Sequence, residues 1–238
     1  MIVQACLNGA RAPDFHPKLP LTPEAMAADA VACLMAGAAE LHIHPRDADL
    51  AESLGAVDST IGVVRAACPG TLIGVSTGAW IENDVQRTRD CISSWSVLPD
   101  YASVNLSEDD APEVMAILRS IGVGIEAGLA TVADAERFVA LADHDKVLRI
   151  LIEIEEQQPR AAIDIAEGII AVLARAGVTR SILLHGFDAT VWDFVHLARE
   201  RSWSTRIGLE DGRVMSDGSL ATGNASLVAE AVAIYRRG

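Results

Sequence analysis

A repeated alternation of short apolar segments and helix-forming segments is the feature that most restricts how this chain can fold. Eight such pairs follow one another at intervals of roughly 25–30 residues, from an apolar segment at 2–7 to a final helix at 224–236. The apolar segments are nearly continuous runs of Val, Ile and Leu, which is typical of parallel strands covered on both faces. Eight strand–helix units favour a closed barrel. We therefore predict an α/β chain that forms a (β/α)8 TIM barrel as a single domain over residues 1–238.

An open, doubly wound parallel sheet is the alternative fold. Such a sheet usually has fewer strand–helix units and often carries a glycine-rich nucleotide loop after its first strand. The only comparable glycines, in Gly122-Val123-Gly124, precede an apolar segment instead of following one. The sequence therefore gives no support to a dinucleotide site.

Charge and cysteine content exclude several classes of protein. The net charge is −14 and Lys and Arg form no block, so nucleic acid is not an expected partner. No apolar run reaches about 18 residues without a charge, and the N-terminus lacks the basic start of a signal peptide. The cysteines show no paired spacing and are expected to be reduced, in a cytoplasmic protein without membrane contact. They are Cys6, Cys33, Cys68 and Cys91.

The second predicted strand ends in an unusual pair of histidines. His42 and His44 lie one residue apart, and side chains in a strand alternate between its two faces. Both imidazoles therefore face the same side, about 6.5 Å apart along the strand. Arg46 follows directly after the strand, and in parallel α/β proteins the active-site residues lie at the carboxyl ends of the strands.

A carboxylate from the last predicted strand completes a possible metal site. Arg206, Gly208 and Glu210 share one face of that strand, and strands two and eight both flank strand one in a barrel. His42, His44 and Glu210 can then converge on one ion. Two histidines and one carboxylate with an open position are typical of catalytic zinc, and the same set suits non-haem iron. The alternative is a pair of hydrogen-bonded core histidines.

Asp211 directly follows the predicted carboxylate ligand. A carboxylate beside the metal, kept ionised by Arg206, is a candidate general base. The alternative is an acid in a surface turn with Gly212. Glu126, at the end of the fifth strand, is a candidate to support Arg206, or else a member of a simple salt bridge.

Further polar residues end the third and fourth strands. The hydroxyl and backbone N–H groups of Ser76 and Thr77 suit a carboxylate ligand at the entrance of the following helix, unless they form an ordinary turn. Ser103 and Asn105 share one face of the fourth strand. Together with Arg46, these residues are candidates for substrate binding.

The sixth and seventh strands carry further polar groups. On the sixth strand, Arg149, Glu153 and Glu155 lie on the face opposite a set of apolar residues, and we expect them to face the barrel interior. The two glutamates suit a cationic group on a substrate, but pairing with Arg149 or Lys146 is the favoured interpretation. Near the end of the seventh strand, His185 and Trp192 are candidates for a pocket wall.

Over nearly its whole length the chain resembles the β-keto acid cleavage enzymes. The paired patterns HxHxRD and RxGxED, in this order and near these positions, are the most specific features. The motifs are Cys6-Leu7-Asn8-Gly9-Ala10, Pro20-Leu21-Thr22-Pro23-Glu24, Leu41-His42-Ile43-His44-Pro45-Arg46-Asp47, Ser76-Thr77-Gly78 and Arg206-Ile207-Gly208-Leu209-Glu210-Asp211.

The resemblance implies a zinc-dependent (β/α)8 barrel and a reversible exchange. In that exchange, a β-keto acid and acetyl-CoA give acetoacetate and a new acyl-CoA. It implies that His42, His44 and Glu210 bind zinc. It also implies that Asp211, coupled through Arg206 to Glu126, removes the α-proton, and that Ser76 and the region of Ser103 and Asn105 bind the substrate.

The chain differs from the pattern of this family in ways that suggest a compact, divergent branch. It is shorter than most members, and the glycine-rich turn expected after the sixth strand is replaced by the acidic stretch 153–158. Two alternatives to the exchange reaction follow. One is a metal-dependent aldolase or decarboxylase that needs no CoA, and the other is a non-catalytic barrel that binds a small acid. Barrels of this type commonly associate, so we expect a homo-oligomer.

Overall fold

The apolar segments pair in parallel, each with the next along the chain, and the last pairs with the first. In the computed structural model, which describes residues 1–236, this pairing closes a barrel with the strand order β1 to β8. The strands are β1 Val3–Cys6, β2 Glu40–Ile43, β3 Leu72–Ser76, β4 Tyr101–Asn105, β5 Gly124–Leu129, β6 Arg149–Ile154, β7 Ile182–Gly186 and β8 Ser204–Ile207. The predicted (β/α)8 TIM barrel is confirmed, whereas its extent as a single domain over 1–238 stays a prediction.

A helix follows each strand and covers the outside of the barrel. The helices are α1 Pro23–Ala36, α2 Val57–Ala67, α3 Val85–Ser94, α4 Ala111–Ser120, α5 Val132–Ala140, α6 Pro159–Arg175, α7 Val191–Glu200 and α8 Asn224–Arg236. Within residues 1–236, none of these helices is both long and apolar enough to cross a bilayer.

Local sequence signals set the helix ends. Thr22 accepts a hydrogen bond from the Ala25 backbone N–H before α1, and Gly37 ends that helix at φ 109°. Thr131 and Asp134 form a reciprocal capping box at α5. Helix α6 begins at Pro159, because proline suits the first turn of a helix.

The sixth strand shows how the sheet separates two environments. Ile150, Ile152 and Ile154 are fully buried in the apolar core that the helices cover. Arg149 and Glu153, on the opposite face, point into the barrel, as the alternation predicts. The apolar core therefore lies between sheet and helices, and the interior of the barrel is left for polar groups.

Charged and polar side chains fill the lower part of the barrel interior. The Arg149 guanidinium lies between two carboxylates: it pairs with Glu40, and its Nε lies 2.7 Å from Glu126 Oε1. The Gln4 side-chain amide donates to both carboxylates at 3.1 Å. Arg149 is used in this network, and within residues 1–236 no ion pair joins Glu153 or Glu155 to Arg149 or Lys146, so the favoured pairing is wrong.

Candidate metal centre

Three predicted side chains meet where β2 and β8 end. His44 Nε2 lies 3.3 Å from His42 Nε2 and 3.4 Å from Glu210 Oε1, and His42 Nε2 lies 3.9 Å from the same oxygen. One ligand atom of each residue lies within 4.8 Å of the others, and all three residues are buried. The structure therefore brings together the three residues that the sequence predicts as metal ligands.

The ends of β1 and β2 hold the histidines in place. His42 lies in β2, in register with Cys6 of β1, and His44 comes just after the strand. The Asn8 side chain then clamps the His44 backbone, donating to its carbonyl and accepting from its N–H, both at 2.9 Å. Both imidazoles therefore keep the inward orientation of the strand although only His42 belongs to it.

Glu210 reaches the histidines by a turn and not by strand alternation. Strand β8 ends at Ile207, and the Asp211 N–H donates to the Gly208 carbonyl at 2.9 Å. Glu210 then packs against Gly9, which has φ +55°, and a Cβ on Gly9 would lie 2.4 Å from Glu210 Cγ. A glycine is needed at this position for both its backbone conformation and its space.

Burial and nearby charges shift the pKa values of the three side chains in different directions. Burial, with Arg206 and His44 nearby, holds the pKa of His42 well below its usual value, so its imidazole is neutral. Burial acts in the same direction on His44, but the Glu210 and Glu52 carboxylates outweigh it and raise the pKa of His44 to about 9. Burial disfavours the charged form of Glu210, yet Arg206 and the histidines hold its pKa well below the usual range. A cation at this point competes with a proton for the same ligand atoms.

The donor atoms at this cluster suit a divalent transition metal. Two imidazole nitrogens face one carboxylate, and Glu210 Oε2 and His42 Nδ1 are buried without any hydrogen-bond partner among the described residues. Buried polar atoms are rarely left unpaired unless a ligand or water completes them. A two-histidine, one-carboxylate set with room for a further ligand is typical of catalytic metal sites, those of zinc and of non-haem iron among them.

Glu52 contacts the cluster although no sequence pattern predicts it. Its Oε1 lies 2.5 Å from His44 Nδ1, and its Oε2 accepts a hydrogen bond from Trp80 Nε1 at 3.1 Å. A bridge between Arg46 and Glu52 folds the loop after β2 back on itself, which returns the carboxylate to the histidine. A carboxylate on Nδ1 directs Nε2 of the same ring toward a metal.

We expect Glu52→Gln to lower zinc affinity by roughly 10–100-fold, because an amide orients His44 less strongly and does not increase the basicity of its ring. Competition with a chelator of known affinity measures the change. Asp49→Asn, an exposed carboxylate in the same loop, is the matched control and should leave the affinity unchanged. Equal zinc affinities for Glu52→Gln and wild-type protein would show that Glu52 does not support the centre.

A buried charged group lies directly behind the three ligands. Arg206 Nη2 lies 2.6 Å from Glu210 Oε1 and 2.9 Å from Asp211 Oδ1. Asp211 has no exposed surface, its Oδ2 has no hydrogen-bond partner among the described residues, and its Oδ1 lies 3.3 Å from His185 Nδ1. Burial opposes the charge on Arg206, but the carboxylates, Asp211 first, raise its pKa well above the usual value. Asp211 is therefore no surface-turn acid.

The cluster opens into a cavity of about 510 Å³ at the ends of the strands. His42, His44, Arg206 and Glu210 line one part of it. The predicted substrate-binding residues Ser76, Ser103 and Asn105 line it as well, together with Glu153, Glu155 and Trp80. The cavity combines a metal-binding set, a cation and neutral hydrogen-bonding groups, which are suited to a small acid with a carbonyl group.

Two predicted substrate-binding residues bind other parts of the protein. Arg46 does not line the cavity: its guanidinium donates to the carbonyls of Gly9, Arg11 and Leu50, each at 2.8 Å, and so fixes the loops after β1 and β2. Thr77 is buried, and its hydroxyl donates to the Ser103 carbonyl at 2.7 Å. Both terminal nitrogens of Arg46 and the hydroxyl of Thr77 are thus used within the protein, contrary to the prediction.

The predicted link between Glu126 and Arg206 also needs correction. Glu126 forms an ion pair with Arg149 and accepts a hydrogen bond from Gln4, and no hydrogen bond or ion pair joins it to Arg206 within residues 1–236. Glu126 and Arg149 are register partners on adjacent strands, which brings them together below the cavity. Trp192 lies outside the cavity as well and donates to the Val214 carbonyl at 2.9 Å.

Solved structures with this fold include several enzymes. ObcA in a ternary complex with a C4-CoA adduct and oxalate superposes with a TM-score of 0.74 at 17% identity, over 91% of this chain and 63% of that one. A binary complex of ObcA with oxaloacetate gives 0.72 at 18% identity, with the same coverage of both chains. Type I 3-dehydroquinate dehydratase from Clostridium difficile gives 0.66 at 10% identity, over 99% and 91%. This chain thus spans less than two thirds of ObcA, and these likenesses show the fold alone.

A family model identifies the chain more specifically. The model of the beta-keto acid cleavage enzymes matches residues 1–168. The matched segment contains both histidines of the cluster, whereas Arg206, Glu210 and Asp211 lie beyond it. Since the match covers well over half of the sequence, the chain belongs to the β-keto acid cleavage enzyme family.

Proposed function

We propose that this chain is a zinc-dependent β-keto acid cleavage enzyme that uses acetyl-CoA as co-substrate. The observation that carries the proposal is the cluster of His42, His44 and Glu210 at the wall of a cavity, in a chain of this family. A zinc ion held by these residues would supply a Lewis acid that stabilises negative charge on the substrate oxygens.

The proposed reaction exchanges two acyl groups and needs no oxidant. The acetyl group of acetyl-CoA joins the α-carbon of the β-keto acid, and the bond between that carbon and the original keto carbon breaks. The released acyl group leaves on the CoA sulfur, so the products are acetoacetate and a new acyl-CoA. The proton taken from the α-carbon is returned at the end, and none is consumed.

Different residues at the cavity are proposed to bind the substrate and to transfer the proton. Arg206 is a buried cation at the cavity wall and attracts the substrate carboxylate, while the hydroxyls of Ser76 and Ser103 are available as hydrogen-bond donors. Asp211 takes the α-proton. Arg206 bonds to its Oδ1 and leaves Oδ2 without a partner within residues 1–236, so that oxygen is available to accept a proton.

Incubation of the zinc-loaded protein with a panel of β-keto acids and acetyl-CoA tests the proposal. We expect acetoacetate and a new acyl-CoA to form in equal amounts for at least one acid, and removal of zinc by a chelator to stop both. Mass spectrometry identifies the acyl-CoA and therefore the acid. If zinc binds but no acid in the panel yields acetoacetate, the exchange reaction is the wrong proposal for this chain.

A metal-dependent decarboxylase or aldolase is the second candidate, and one observation favours it. Glu153 and Glu155 line the cavity where the family pattern has a glycine-rich turn, and carboxylates repel the phosphates of CoA. Consumption of a keto acid at the same rate with and without acetyl-CoA would select this alternative.

A further inference from the structure

His185, in β7, is a buried polar residue that lies beside the cavity without lining it. It is 1% exposed, and Phe187, which does line the cavity, packs edge-on against it with the ring centroids 5.0 Å apart. Leu183, two residues earlier on the same face of the strand, fills its place with an apolar side chain. A buried imidazole at the next position needs a polar partner.

Each ring nitrogen of His185 faces a carboxylate. Nδ1 lies 3.3 Å from Asp211 Oδ1, and Nε2 lies 3.9 Å from Glu153 Oε2. No other hydrogen-bond partner of either nitrogen lies within the described residues. Burial, reinforced by Arg206, lowers the pKa of His185, so the ring is neutral and carries a single N–H. Asp211 is the nearer acceptor, which favours the tautomer with the proton on Nδ1.

Arg206 alone does not fix the rotation of the Asp211 carboxylate. Its Nε and Nη2 lie 3.2 and 2.9 Å from the same oxygen, Oδ1. A guanidinium that bonds to both oxygens of a carboxylate sets its orientation, whereas bonds to one oxygen leave the other free to turn. The terminal torsion of an aspartate side chain is itself broad. A second donor that reaches Oδ1 from another strand supplies the missing constraint.

The end of β7 also holds the backbone of Asp211. The Asp188 N–H donates to the Asp211 carbonyl at 2.7 Å, directly after β7. The strand end itself is tightly packed, since a Cβ on Gly186 would lie 2.4 Å from Phe194 Cδ2 of α7. Close packing leaves this segment little room to move. His185 therefore approaches the carboxylate from a segment that is already fixed relative to the Asp211 backbone.

We propose that His185 is a positioning residue for the base: its Nδ1–H donates to Asp211 Oδ1 and holds Oδ2 toward the substrate. The inference rests on the proposed function, in which Asp211 takes the α-proton. His185 acts through Asp211 and exchanges no proton with the substrate itself. Misplacing a reacting atom by about 1 Å costs on the order of 100-fold in rate, so the loss of such a contact is measurable.

Replacing His185 by leucine and by asparagine in the zinc-loaded protein tests the inference. Leucine offers no donor, whereas the asparagine Nδ2 is bonded to Cγ, as Nδ1 of histidine is, and donates from about the same place. We expect His185→Leu to lower kcat for α-proton exchange by roughly 10–100-fold, with KM changed by less than about threefold. His185→Asn should recover most of the lost rate, and both variants should keep one zinc per chain. His196→Leu, exposed on α7, is the matched control and should exchange like wild type.

Two further measurements separate positioning from support of the fold. NMR of nitrogen-labelled histidine in the wild-type protein identifies the ring nitrogen that carries the proton, and the inference requires Nδ1. This measurement does not depend on whether the variants fold. In an Asp211→Asn background, His185→Leu should cause no further loss of exchange, because the two residues act as one unit.

Four results would overturn the inference without touching the proposed function. They are a proton on Nε2, an unchanged kcat in folded His185→Leu, an asparagine variant as slow as the leucine variant, and a full additional loss in the Asp211→Asn background. In each case, zinc binding and formation of acetoacetate by the wild-type protein would still support the cleavage reaction. A wild-type protein that neither exchanges the α-proton nor forms acetoacetate would instead refute the proposed function, and the inference with it.

Discussion

Replacing His42 by alanine is expected to abolish stoichiometric zinc binding and to lower acetoacetate formation by on the order of a thousandfold or more. The imidazole is 1% exposed and supplies one of the three ligand atoms that residues 1–236 bring together, so its loss leaves His44 and Glu210 as a two-ligand site. Loss of an outer-shell partner alone costs about 10–100-fold in metal affinity, and loss of a direct ligand costs more. Elemental analysis after dialysis gives the zinc content, and the acetoacetate assay gives the rate.

A buried histidine in the loop between β1 and α1 separates loss of the metal from loss of stability. His16 is 3% exposed, and its Nε2 lies 3.0 Å from the Ala221 carbonyl, away from the cavity. His16→Ala removes the same volume and should keep one zinc per chain while the protein remains folded. Full zinc content in a folded His42→Ala protein would mean that the metal is held by other groups.

The barrel and its ligand set follow from patterns that are local in the sequence. Alternation places His42 on the inner face of β2, and the number of strand–helix units implies that the last strand neighbours the first. Glu210 is placed correctly for a different reason than expected, because β8 ends at Ile207 and a turn carries the carboxylate inward. Sequence patterns therefore predict the end of the barrel at which a residue lies, and this information is sufficient to predict the three residues of the cluster.

The residues that sequence patterns misplace depend on contacts between distant segments. Arg46 follows a strand end, as a substrate-binding residue would. However, its guanidinium donates hydrogen bonds to three backbone carbonyls of two loops, whose paths the sequence does not reveal. Glu126 forms an ion pair with Arg149 because β5 and β6 pair in one particular register, which the composition of the strands does not reveal. Glu52 has no periodic signal at all, since a short bridge between Arg46 and Glu52 returns it to His44.

Replacing Asp211 by asparagine should separate metal binding from proton transfer. The amide keeps the shape of the side chain and leaves the three metal-binding groups intact, but it does not accept a proton near neutral pH. Arg206 keeps its 2.6 Å contact with Glu210, so the cavity wall retains its cation. General base catalysis contributes about 10²–10⁴-fold to a rate, and we expect a loss of that size in α-proton removal, with one zinc per chain retained.

Exchange of the α-proton for deuterium, followed by NMR without acetyl-CoA, measures this step apart from carbon–carbon bond formation. The spontaneous exchange of the β-keto acid is subtracted. Asp193→Asn, an exposed acid in the first turn of α7, is the matched control and should exchange like wild type. A fully active Asp211→Asn protein would assign the base to another group.

Asp211 is buried behind Arg206 and does not line the cavity. Proton transfer to Asp211 therefore requires that the bound substrate reach Oδ2, the carboxylate oxygen that Arg206 leaves free. Loss of exchange with zinc retained would therefore also show that the substrate comes within reach of that oxygen.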